Sequence, residues 1–192
     1  VIVPDITWVA TASVVKYVGA KPVFVDVDRK TWTMCPDSLK KKITKKTKVI
    51  MPVHLYGHPC KMDEIMRIAN KNKIKVVEDA APSIGAKYKD KLVGTFGIAS
   101  AFSFQGAKLL VSGEGGIITT NNIKIAKNIE LFRSHGILRN KNEYWKYDVL
   151  KHGFNYRLSD INCALGFSQL KKINFFIKKR KKIYNKFLKE FK

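Results

Sequence analysis

The chain has 192 residues, 45% of them hydrophobic, and carries 37 Lys and Arg against 15 Asp and Glu, for a net charge of +22. That length suffices for one domain with a sizeable core, while no apolar run is long enough to span a membrane as a helix and no signal peptide stands out. The basic excess raises nucleic acid as a partner, but lysine dominates over arginine, the preferred reader of phosphate forks and base edges, and the lysines scatter over 40–48, 71–75, 87–91 and 171–192, so solvated faces explain them better.

In chain order, 7–18 reads as a helix capped by Asp5 or Thr7, with Val9, Ala12, Val15 and Val18 at near-helical spacing and Gly19 as its stop. A short strand over 22–27 follows, and Pro36-Asp37-Ser38 opens a second helix to about Ile43. The strand 48–53 runs into the loop His54-Leu55-Tyr56-Gly57-His58-Pro59. A third helix covers 62–70, with Asp63 and Glu64 in the turn where the helix dipole favours them. The continuous apolar strand 74–78 ends in Glu78-Asp79; further strands are expected over 99–104 and 116–120. A helix over 123–134 is stopped by His135-Gly136, 141–153 reads as a long loop, and Ser159 caps a helix running on to the C-terminus. Apolar strands alternating with helices of about three turns predict an α/β fold, a three-layer sandwich around a mostly parallel sheet. The chain opens inside an element and ends within a basic helix, which reads as a fragment incomplete at both ends.

Chemistry is expected where strands open into small-residue loops. Two charged residues sit there: Asp79 after the strand IKVV, and Lys108 in the stretch FSFQGAKLLVSGEGG, 102–116. Parallel strands share one crevice at their C-terminal ends. An acid and an amine meeting in it form either a buried salt bridge or a pyridoxal phosphate site, and spacing does not decide between them. His54, His58 and Cys60 have spacing that suits zinc, but without an evident fourth ligand they read as turn or pocket residues, so no metal is expected. Glu114, between Gly113 and Gly115, reads as part of a tight turn. Cys35, Cys60 and Cys163 are too few and too far apart for a disulfide framework and point to a reducing, cytoplasmic compartment. No GxGxxG turn is present, which weighs against a Rossmann dinucleotide enzyme.

The segments EDAAPSIGA (78–86) and GTFGIASAFSFQGAKLLVSGEGG (94–116) resemble the cofactor region of the DegT/DnrJ/StrS sugar aminotransferases, a fold-type I pyridoxal phosphate family. PDITWVATASVVKYVGAKPVFVDVD (4–28), MPVHLYGHP (51–59) and GFNYRLSDINCALGFSQL (153–170) resemble it too, in the family's order and over nearly the whole chain.

Carried over by position, the resemblance implies Lys108 as the Schiff-base lysine and proton carrier, and Asp79 as partner of the pyridine nitrogen. It implies Trp8 stacked on the ring, Ser103 on the phosphate, and Asn155 on the phosphate of the neighbouring subunit's cofactor, so that a homodimer would share its sites. Arg157 would meet the donor carboxylate or the sugar. Residues 1–158 would form the cofactor-binding large domain, and 159–192 a helix leading toward a small domain. The implied reaction moves an amino group from glutamate to a keto-sugar, usually nucleotide-linked in the family, for surface polysaccharide or amino-sugar biosynthesis. Two alternatives stand beside it: a dehydratase of the same family, in which histidine replaces the lysine, and a basic polyanion-binding module without catalysis. Pro82 departs from the family, standing where a polar residue often touches the cofactor hydroxyl; Ser83 is a candidate substitute.

Overall fold

A computed structural model describes residues 1–140, 142, 143 and 145–191. The first half alternates strand and helix: β1 (Ile2–Pro4), α1 (Ala10–Tyr17), β2 (Val23–Val25), α2 (Pro36–Lys42), β3 (Val49–Ile50), a 3₁₀ turn (Leu55–Gly57), α3 (Met62–Lys71) and β4 (Lys75–Asp79). A small hairpin follows, β5 (Lys87–Tyr88) with β6 (Lys91–Leu92), then β7 (Ala99–Ser103), β8 (Gly116–Thr119) and α4 (Ile123–Arg133). The rest is a second hairpin, β9 (Ile137–Arg139) with β10 (Tyr147–Val149), and two helices, α5 (Asp160–Leu170) and α6 (Ile173–Glu190).

Six strands form the main sheet in the order β2-β1-β3-β4-β7-β8. All pairs are parallel except β7–β8. Register brings Ile2 beside Val23 and Ile50, Ile50 beside Val76, and Asp79 beside Ala101. Side chains alternate across a strand, so Ile2, Ile50 and Val76 share a face. Helices α2 and α3 cover it with Leu39, Met62, Ile65, Ile68 and Ala69, all buried in one cluster. Residues 62, 65, 68 and 69 are spaced so that one stripe of α3 turns inward. Asp79, three residues beyond Val76, faces the opposite side, and Thr11 of α1 is bonded to it, so α1 covers the other face. The result is the α/β layering expected from the sequence.

Several local expectations differ. Helix α1 starts at Ala10 rather than residue 7; its N-cap is Val9, without a side-chain cap bond, so neither Asp5 nor Thr7 caps it. Residues 5–9 instead carry the chain over the sheet edge before the helix begins. The expected loop 141–153 contains β10, paired antiparallel with β9; its residues 141 and 144 lie outside the described set. Hairpin β5–β6 was also hidden, since two-residue strands carry no readable alternation. Ser159 does cap α5, accepting from the Asn162 N–H at 3.3 Å, but the helix breaks at Lys171–Lys172 instead of continuing. His135 and Gly136 stop α4 in left-handed conformations, φ 61° and 72°.

Candidate active site

Strand β4 ends in two adjacent carboxylates that alternation sends to opposite faces. Glu78 points into the α3 side and is fully buried. Its Oε1 accepts from the N–H groups of Phe96 (2.7 Å) and Gly97 (2.8 Å), and its Oε2 from Gly94 N–H (2.7 Å). His54 Nε2 lies 3.1 Å from the same Oε2. Because His54 Nδ1 accepts from the Cys60 N–H at 3.1 Å, the ring proton sits on Nε2, and a neutral imidazole donates to the carboxylate. Burial pushes the Glu78 pKa up, but the His54 bond and the three backbone bonds outweigh it and hold it below the usual value. Cys60 is buried with its thiol against the Val53 carbonyl, and burial pushes its pKa up to about 12. With both ring nitrogens engaged, His54 ties the loop after β3 to β4, and Glu78 in turn ties β4 to the 94–97 loop before β7.

Asp79 faces the crevice. Its Oδ2 accepts from Thr11 Oγ1 at 2.7 Å and its Oδ1 from the Ala81 N–H at 3.1 Å. The backbone is held too: Asp79 N–H donates to Pro52 O and its carbonyl accepts from His54 N–H, at 2.9 and 3.0 Å. On β7 the register partner of Asp79 is Ala101, a small residue that leaves this face open. Ser103, two residues further, lies on the same face, and among the described residues its Oγ accepts only a long 3.3 Å bond from Gln105 N–H.

Lys108 sits in the β7–β8 connection, at the same C-terminal edge of the parallel strands. Its N–H donates to Gln105 O at 2.9 Å, and the base of the loop is closed by Phe104 N–H to Gly115 O and Ser112 N–H to Phe104 O, each 2.9 Å. Two of the glycines that follow are constrained: a Cβ on Gly116 would stand 2.6 Å from the Phe102 carbonyl, and Gly115 has φ 142°, where side chains are strained. Trp8 stands just before α1 with 78% of its surface exposed. One sheet edge thus gathers Trp8, Asp79, Ser103 and Lys108.

Asn155 and Arg157 form a separate, exposed group. Arg157 Nε donates to Asn155 Oδ1 at 2.9 Å, its Nη2 lies 3.4 Å from His135 Nε2, and Asn155 bridges to Ser134 after α4. Among the described residues, no hydrogen bond joins this group to Asp79. Ser83, beside Pro82, is buried and its hydroxyl donates to the Ala80 carbonyl at 3.0 Å. Sequence reasoning overlooked Thr11, His54 and Glu78 as parts of this edge. Only the Glu78-Asp79 pair carried a signal, since alternation requires one of two neighbouring acids to go inward.

Residues 1–192 match the DegT/DnrJ/EryC1/StrS aminotransferase family throughout. The chain belongs to that family. Among curated relatives, GDP-perosamine synthase of Escherichia coli O157:H7 is 44% identical over 183 residues, covering 95% of this chain and 49% of the relative. Among solved structures, the pyridoxal phosphate form of a putative sugar aminotransferase from Streptococcus pneumoniae superposes with a TM-score of 0.88 at 32% identity, covering 96% of this chain and 51% of that one. The dehydratase ColD with bound GDP-perosamine gives a TM-score of 0.92 at 32% identity, covering 99% and 53%. The chain therefore spans about half the length of the curated relatives it matches.

The DegT-family edge has the chemical variety that pyridoxal phosphate needs. An exposed indole offers a flat apolar face, a half-buried carboxylate with two fixed donors keeps lone pairs for a ring nitrogen, a weakly engaged hydroxyl can serve a phosphate, and an amine stands on the neighbouring loop. These residues fit the group.

Proposed function

We propose that the complete protein is a pyridoxal phosphate-dependent aminotransferase that moves an amino group from an amino acid, glutamate by preference, to a nucleotide-linked keto-sugar. The observation that carries this reading is the Asp79 carboxylate, fixed by Thr11 and Ala81 on the open face of the sheet, at the edge that also bears Lys108. Relatives that act on GDP-linked sugars support the substrate class. Bound pyridoxal phosphate supplies an aldehyde that an amine can capture and a ring that accepts electrons. Asp79 pairs with the ring nitrogen and keeps it protonated. Trp8 covers one ring face and excludes water from it. Ser103 donates its hydroxyl to the phosphate. Lys108 Nζ would be the amine that holds the cofactor and, when free, the base that takes and returns the proton at the reacting carbon. Asn155 and Arg157 serve the partner subunit's phosphate and the donor carboxylate or sugar, which places each site across a homodimer. Residues 1–158 act as the cofactor-binding large domain in a cytoplasmic enzyme of amino-sugar or polysaccharide synthesis.

The likeness to ColD favours a second reading, a sugar dehydratase. Lys108 speaks for the transaminase, because an amine at this position tethers the cofactor. The test is the absorbance of the complete protein with pyridoxal phosphate. A visible band that bleaches on adding glutamate, and is lost in Lys108→Ala, supports the transaminase; a band that survives Lys108→Ala removes the role given to Lys108.

A further inference from the structure

Thr11 is buried, 2% exposed, in the first turn of α1. As the second residue of the helix it has no preceding turn to bond back to, and its hydroxyl donates to Asp79 Oδ2, 68 residues away, at 2.7 Å. It is the only side-chain donor on that carboxylate among the described residues. Its N–H, meanwhile, donates to the Trp8 carbonyl at 3.3 Å. Packing alone gives no reason for the hydroxyl: valine has the same branched shape and would suit a buried helix position beside Val15. One residue therefore links the turn that presents the indole to the carboxylate at the base of the crevice.

We infer that Thr11 is a positioning residue for the cofactor ring, setting the Asp79 carboxylate in line with the ring nitrogen and fixing it relative to Trp8. This rests on the ring contacts proposed above for Asp79 and Trp8. Removing the hydroxyl leaves Asp79 Oδ2 free to rotate away, so the positive charge on the ring nitrogen is held less firmly. The bond between cofactor and Lys108 then becomes more basic.

The test uses the complete protein with wild type, Thr11→Val, Thr11→Ser and Lys108→Ala. Measured are the pyridoxal phosphate affinity, the pH midpoint of the visible band, and the melting temperature without cofactor. Thr11→Val is expected to weaken cofactor binding about tenfold, the size of one hydrogen bond to a charged group, and to raise the pH midpoint, while Thr11→Ser stays near wild type in both. An unchanged midpoint in Thr11→Val overturns the inference, whatever happens to affinity, since a merely structural role would leave it in place. A Thr11→Ser protein as impaired as Thr11→Val also overturns it. If valine prevents folding, Thr11→Ala repeats the measurement, and loss of the fold in both reduces the hydroxyl to a stability element and ends the inference. No band in wild type, or one that survives Lys108→Ala, instead defeats the underlying site, and the Thr11 role falls with it.

Discussion

Replacing Glu78 by glutamine changes one oxygen into an amide nitrogen and almost nothing in shape. The structure allows no good orientation for it. With nitrogen at Oε1 it faces the donors of Phe96 and Gly97; at Oε2 it faces Gly94 N–H and the His54 Nε2 proton. His54 cannot adapt by moving its proton to Nδ1, because Nδ1 accepts from Cys60 N–H. Either way two buried donors lose their acceptor, at roughly 1–3 kcal/mol each, or about 2–6 kcal/mol in all. Thermal unfolding of the cofactor-free complete protein measures this, with Glu130→Gln on the exposed side of α4 as the control, which is expected to shift stability by no more than about 0.5 kcal/mol. Glu78→Gln should melt at least about 4 °C lower. A Glu78→Gln protein that melts with wild type and the control would refute the argument that this carboxylate is held by donors with no alternative acceptor.

Acid should expose the same group. The folded-state pKa of Glu78 lies below its ordinary value, so its contribution is complete above the unfolded glutamate pKa of about 4.3 and is lost as pH falls through the folded value. Melting temperature measured downward from pH 6 should therefore drop more steeply in wild type than in Glu78→Gln. Ile65→Ala, at the centre of the α3 packing, should cost about 2–5 kcal/mol in urea unfolding. Gly116→Ala would drive a Cβ to 2.6 Å from the Phe102 carbonyl; it should weaken cofactor binding more than Gly106→Ala, where a Cβ meets nothing within 4 Å, as read by titration of the visible band.

The fold was legible where burial shows as pattern. Val76 and its apolar neighbours mark β4, and the spacing of Met62, Ile65, Ile68 and Ala69 marks α3, because long buried stripes leave a periodic trace. The hairpins β5–β6 and β9–β10 left none, since their short strands are mostly exposed and lack the apolar run that marks the equally short β2 and β3. The break at Lys171–Lys172 was invisible because neither Gly nor Pro stands there. Asp79 and Lys108 could be placed from strand ends, whereas Trp8 and Ser103 entered only through the family resemblance. Thr11 could not be placed, because its meaning lies in a contact 68 positions away. His54 read as a turn or pocket residue; the two bonds to its ring show that it is a strut.

The neighbouring acids of β4 depend on each other through register. A slip of one residue would turn every side chain to the other face, placing Asp79 among the backbone donors of the 94–97 loop and Glu78 in the crevice. The shorter aspartate would not reach the donors that now meet Glu78 at 2.7–2.8 Å, and His54 would face a void. The buried glutamate thus excludes the slipped pairing, and the orientation of Asp79 toward the open face follows from a carboxylate that never meets the crevice itself.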